Sequence, residues 1–128
     1  MFAVDMIRFF TRATNIIKKG QIRERSVALQ KKLKMIVRIV KMTFIEDKTG
    51  DFELIFKESK DFIRNFPGCQ HVELLRHAED PRIYFTYSHW DDLAALEQYR
   101  QSELFAGVWK RTKALFAAKA EAHSLIKN

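Results

Sequence analysis

Apolar and polar positions change their rhythm at Met35. From there the chain reads Met-Ile-Val-Arg-Ile-Val-Lys-Met-Thr-Phe, a β-branched run of strand length, so residues 35–44 are predicted as a first strand. Residues 45–50 follow as a polar loop closed by a glycine. Phe52, Ile55, Phe56, Phe62, Ile63 and Phe66 then recur at helical spacing, with Lys57, Lys60, Asp61 and Arg64 between them. That pattern predicts an amphipathic helix of about four turns, stopped by Pro67-Gly68. Residues 69–76 and 82–89 read as two further strands joined by a short polar connection, hence an antiparallel pair. In the second of these, Ile83, Phe85 and Tyr87 share one face, and Tyr84, Thr86 and Ser88 the other. Asp91 or Asp92 can cap the next helix, whose buried side carries Leu93, Leu96 and Tyr99. Ser102 looks like a fresh cap and predicts a bend. From Leu104 through Val108 and Trp109 to Leu115 and Phe116 the helical period continues, and residues 120–126 make a short last strand.

The order β-α-β-β-α-β is a split βαβ unit, an α+β ferredoxin-like fold with a four-stranded antiparallel sheet and two helical segments on one face. Apolar residues fall on both faces of the strands, and the sequence holds no third layer to cover the second face. A homodimer packed sheet to sheet, a dimeric α+β barrel, is the expected cover.

Residues 1–34 stand apart as a basic extension, and residues 35–128 form the domain. The formal charge of +7 lies wholly in the extension, with nine Lys and Arg against Asp5 and Glu24; the rest of the chain has fourteen of each sign. The domain therefore gives no support to a nucleic-acid partner despite the basic pI. Phe2, Met6, Phe9, Phe10, Ala13, Ile16 and Ile17 share one helical face against Arg8, Arg12 and Lys18, and Gly20 would end that helix. Such a segment can make weak contact with an anionic membrane surface, serve as a transit sequence, or be a peripheral appendage. No run approaches a membrane span. A single cysteine, Cys69, permits no intrachain disulfide, and a cytoplasmic protein is expected.

The candidate chemistry gathers at the end of the third strand. Trp90 can wall a pocket and stack on a flat ring. His89 can accept a phenolic proton, although alternation puts it on the face opposite Trp90. His71 shares a face with Glu73, as a base with an orienting carboxylate would. Tyr87, Tyr99 and Trp109 are further candidate lining residues, with Tyr84 among the same aromatic set. The four histidines, His71, His77, His89 and His123, lack paired metal-ligand spacing, so no metal site is expected. Aromatic residues at these periods also serve simply as core, and the histidines as surface or dimer contacts.

From residue 35 to about 127 the chain resembles the antibiotic biosynthesis monooxygenase family. The resemblance is carried by the opening Ile-Val-Arg-Ile-Val-Lys-Met-Thr-Phe, Phe66-Pro67-Gly68-Cys69, Tyr87-Ser88-His89-Trp90, Ala94-Ala95-Leu96, Ser102-Glu103-Leu104-Phe105 and Glu121-Ala122-His123-Ser124. It implies a small dimeric ferredoxin-like protein and, by analogy, a monooxygenase that uses no cofactor and oxidises a phenolic or quinol compound with molecular oxygen. On that reading Trp90 is the stacking wall, His89 or His71 the proton acceptor, and Tyr99 and Trp109 the helix-side lining. A haem-degrading branch of the family is a minor alternative, because Trp109 stands where that branch has its iron-binding histidine and Val40 falls near its strand-one asparagine. The alternative from another class is a dimeric module that binds a small ligand without chemistry.

Overall fold

A computed structural model describes residues 34–127. The expectations about residues 1–33 lie outside the described residues. Four strands, β1 (Ile36–Thr43), β2 (Cys69–Arg76), β3 (Ile83–Trp90) and β4 (Glu121–Ile126), form one antiparallel sheet in the order β2-β3-β1-β4. Three helices, α1 (Thr49–Arg64), α2 (Leu93–Arg100) and α3 (Glu103–Lys113), complete the split βαβ order. The predicted α+β ferredoxin-like fold is the observed one.

The elements start and stop for local reasons. Asp92 caps α2 by accepting from the Ala95 amide at 2.8 Å, and Ser102 caps α3 by accepting from Phe105 at 3.1 Å. The predicted bend is thus a break into two helices. Gly50, read as part of a loop, lies inside the first turn of α1, and a short 3₁₀ turn at Glu46–Lys48 takes up the connection instead. Leu115 and Phe116 leave the helix that their spacing predicts. The Ile45 amide donates to Leu115, Phe116 pairs with Phe44 in an isolated bridge, and the Ala117 amide donates to Thr43. Extending β1 in this way gives these backbone groups partners that replace the helical ones.

Gly68 is the one described residue whose backbone demands glycine, with φ of +87°. A Cβ there would collide with the Ala95 side chain. Gly68 also accepts from the Asp91 amide at 2.8 Å, so this close approach seats the start of α2 against the end of β3.

Two apolar clusters lie between sheet and helices. One holds Ile36, Ile63, Cys69, Val72, Trp90 and Leu96; the other holds Met42, Phe44, Phe52 and Tyr84. Aromatic rings dominate the second, with Phe44 stacked on Phe52 at 4.2 Å between centroids and edge-on to Tyr84. On the opposite sheet face lie Val37, Ile39, His71, Glu73, Leu75, Phe85, Tyr87, His89 and Leu125. Leu75 and Leu125 are each 46% exposed there. No helix among the described residues is long and apolar enough to cross a membrane.

Candidate active site

A cavity of about 310 Å³ lies between the sheet and the helices and draws its walls from both clusters. That volume suits a small ligand of one or two rings. Strand alternation sets its floor. Ile36, Arg38, Val40 and Met42 of β1 face the helices, opposite Trp90, Ser88, Thr86 and Tyr84 of β3. Ala120 and Ala122 leave room beside β1 where larger side chains would fill it. The helical roof is Phe52, Ile55, Phe56 and Ile63 of α1, Leu96, Tyr99 and Arg100 of α2, and Phe105, Val108, Trp109 and Thr112 of α3.

Trp90 is 1% exposed and fixed on several sides. Its ring stacks on Tyr99 at 4.8 Å and meets Phe66 edge-on, and its indole N–H donates to Ser88 Oγ at 3.0 Å. Ser88 keeps its own proton to offer toward the cavity. Tyr99 is also edge-on to Phe105, which in turn stacks on Trp109 at 5.8 Å. A continuous wall of aromatic faces and edges results, the kind of surface that receives a planar ring. Burial, with a smaller contribution from nearby Cys69, holds the Tyr99 hydroxyl well above the usual phenol range, so it stays protonated. Burial likewise pushes the Cys69 thiol up, which leaves it a poor nucleophile.

Two cations break the apolar lining. Arg38 rises from the middle of β1, in one cross-strand row with Ser88 on β3 and Ser124 on β4, and donates to Ser124 Oγ at 2.7 Å. Its pKa is lowered by burial and then by the like charge of Arg100, partly offset by Glu97; a guanidinium remains charged at neutral pH all the same. Arg100, in the last turn of α2, pairs with Glu97 at 2.9 Å and is 42% exposed. No Asp, Glu or His is among the described lining residues. The hydroxyl of Thr112 is buried without a hydrogen-bond partner among the described residues.

The structure therefore brings three of the sequence candidates together, Trp90, Tyr99 and Trp109. It places His89, His71 and Tyr87 on the other face of the sheet, as a cluster of their own. His89 is 4.9 Å from Tyr87 and 5.4 Å from His71 between ring centroids, and His71 Nε2 lies 3.2 Å from Glu73. The reason is the pleat. Trp90 faces the helices, so His89 faces away, and the bulge that could have changed this falls on β2, between Cys69 and His71. Arg38, Thr86, Ser88, Arg100 and Thr112 are the polar lining residues that sequence reasoning passed over. For Arg38 a signal existed: it holds the inward parity of β1, between Ile36 and Val40.

The model of the antibiotic biosynthesis monooxygenase family matches residues 35–111, more than half of the chain. The chain belongs to this family. Solved structures agree with it in fold. A conserved protein from Methanosarcina mazei is 18% identical with a TM-score of 0.72, over 78% of this chain and 99% of the other. A candidate antibiotic biosynthesis monooxygenase from Caulobacter crescentus is 17% identical with a TM-score of 0.73, over 80% and 98%. A variant of SnoaB, a cofactor-independent oxygenase from Streptomyces nogalater, is 19% identical with a TM-score of 0.66, over 73% and 93%. No curated protein matches. Within this antibiotic biosynthesis monooxygenase domain, the family match spans β1 through most of α3, and so contains every cavity residue except Thr112, Ala120 and Ala122.

Proposed function

We propose that the protein is a cofactor-independent monooxygenase that oxidises a small phenolic or quinol compound, working in the cytoplasm as a homodimer. The observation that carries this reading is the aromatic-walled cavity with Arg38 and Arg100 in its lining and no acidic side chain among its described lining residues. SnoaB, a cofactor-independent oxygenase with the same fold, supports it by analogy.

The chemistry follows from the environment. A phenol or quinol beside two guanidinium groups ionises more readily, because the nearby cations favour the anion. The proton leaves to solvent past the exposed Arg100. Held against Trp90 and Tyr99 away from water, the electron-rich anion passes an electron to oxygen. Recombination of the radical pair forms a carbon–oxygen bond, and loss of water from the peroxide leaves the carbonyl. One oxygen atom ends in the product and the other in water, and the substrate supplies all the electrons. Trp90 stacks on the ring, Tyr99 and Trp109 confine it, and Ser88 offers a hydrogen bond. In this account His89, His71 and Tyr87 serve the sheet face that the second protomer covers, together with Leu75 and Leu125. A glutamate at Leu75 should then shift the protein toward monomer in sedimentation.

One observation favours a second reading, a binding module without turnover: no lining side chain among the described residues is a base at neutral pH. The same lining offers no imidazole to hold a haem iron. Oxygen uptake by the purified protein with a panel of quinols and anthrones, wild type beside Trp90→Phe, separates oxygenase from module. Uptake that falls in the variant is the expected result; none above the uncatalysed rate for any compound would leave the binding module.

A further inference from the structure

We propose that the cavity selects aromatic hydroxy acids, whose carboxylate docks on Arg38 and Arg100 while the ring lies along Trp90 and Tyr99. This rests on the reading of the cavity as a ligand site and not on turnover, because a carboxylate on the two arginines takes up the positive charge that would otherwise favour a phenolate. It goes further in naming an anionic substrate class and the two residues that choose it.

The argument starts from what an arginine costs in that place. Arg38 stands on the helix-facing side of a central strand, half-buried between Ile36 and Val40. Its guanidinium has five donors, and the described residues satisfy one of them, through Ser124. A second cation, Arg100, lines the same cavity. Burial lowers the pKa of Arg38, and the like charge of Arg100 lowers it further. Glu97 answers with one negative charge, bound to a single nitrogen of Arg100. Two guanidinium groups against one carboxylate leave one positive charge unanswered, at the edge of an otherwise apolar hollow. A ligand with one negative charge completes that balance.

The form of the donors points to a carboxylate. Guanidinium forks match a planar anion with two oxygens, and such pairs are stronger than bonds to a neutral group. A phenolate offers only one oxygen. Further polar groups are set for a ring hydroxyl or carbonyl. Ser88, beside Arg38 in the cross-strand row, has a proton to give. Thr112, 3% exposed, also lines the cavity and has a hydroxyl with no partner among the described residues. An acid at one end, a flat ring in the middle and an oxygen substituent beyond it form the complement of this lining.

Isothermal titration calorimetry with 6-hydroxy-2-naphthoate and its neutral carboxamide tests the proposal. The wild type should bind the acid about ten-fold or more tighter than the amide, the worth of a charge-assisted hydrogen bond. In Arg38→Gln and in Arg100→Gln the ratio of acid to amide affinity should shrink to about two-fold or less. Arg38→Lys should keep part of it, because it keeps the charge but loses the fork. Arg100 is largely at the surface, so its variant carries the test even if Arg38→Gln does not fold. Equal affinity of the wild type for acid and amide would overturn the proposal, as would a preference that survives in both variants, or binding of neither compound. Oxygen uptake measured with both neutral and carboxylate-bearing quinols reports on the oxygenase reading separately: uptake without acid preference in binding sinks this proposal alone, and acid preference without uptake from either kind of quinol sinks the oxygenase alone.

Discussion

Replacing Trp90 by Phe removes a hydrogen bond and part of a stacked ring from the wall of the cavity. The indole N–H to Ser88 Oγ bond at 3.0 Å is buried, and its net worth is about 1 kcal/mol. The smaller ring also gives up apolar contact with Tyr99 and Phe66, roughly one to two methylene equivalents at about 0.8 kcal/mol each. The expected loss is therefore about 2 to 3 kcal/mol. With a urea slope of about 1 kcal/mol per molar for a domain of this size, the midpoint should fall by about 2 to 3 M. Urea unfolding followed by circular dichroism, at one fixed protomer concentration, measures it. A double-mutant cycle isolates the hydrogen bond. Ser88→Ala should cost about 1 to 3 kcal/mol in the wild type, where it strands a buried N–H, and close to nothing in Trp90→Phe, where that donor is gone. Equal costs in the two backgrounds would refute the account of how Trp90 is held.

Other consequences are independent of the site's chemistry. Gly68→Ala must accept a left-handed backbone, at about 1 to 2 kcal/mol, and a collision with Ala95 worth about 1 to 3 more; the melting temperature should drop by about 10 °C or more, and a drop under about 3 °C would contradict the close approach of α2 to the end of β3. Asp92→Ala and Ser102→Ala should each cost about 1 kcal/mol in the same assay, and neutrality of both would deny the caps their role. Tyr99 is raised by burial, and Tyr84 by burial and by the carboxylate of Glu53, to which its hydroxyl donates. A group raised in the folded state adds stability below its unfolded pKa and loses it as pH climbs through the folded value, so the native state should weaken as pH rises past about 10. Absorbance at 295 nm should show these phenols ionising late, together with unfolding; ionisation of all three tyrosines at about pH 10 with the fold intact would contradict it.

Most of the fold could be read from the sequence because each strand and helix carries its own period and its own stop. The pairing of β2 with β3, the caps at Asp92 and Ser102, and the opposed faces of Trp90 and His89 all follow from local rules. The tail of α3 did not. Leu115 and Phe116 keep helical spacing, yet tertiary pairing with Phe44 and Ile45 outweighs it, and no window of local sequence contains that partner. The site was half legible. Aromatic residues at inward positions announced Trp90, Tyr99 and Trp109. The histidines drew attention by their chemistry, while their parity already turned them from the cavity. Arg38 was visible only as an inward cation on a strand. Arg100 needed the fold, since only the packing of α2 over the sheet sets it beside Arg38.

The central claim is that the aromatic ligand lies between sheet and helices, not on the far face of the sheet. Heteronuclear NMR on ¹⁵N-labelled protein titrated with 1,4-naphthohydroquinone under anaerobic conditions tests it directly. The indole N–H signals of Trp90 and Trp109 should shift together along one binding curve, while the amides of His71, Tyr87 and His89 respond weakly. Large shifts at those three amides, with both indole signals unmoved, would put the ligand on the wrong side of the sheet for this account.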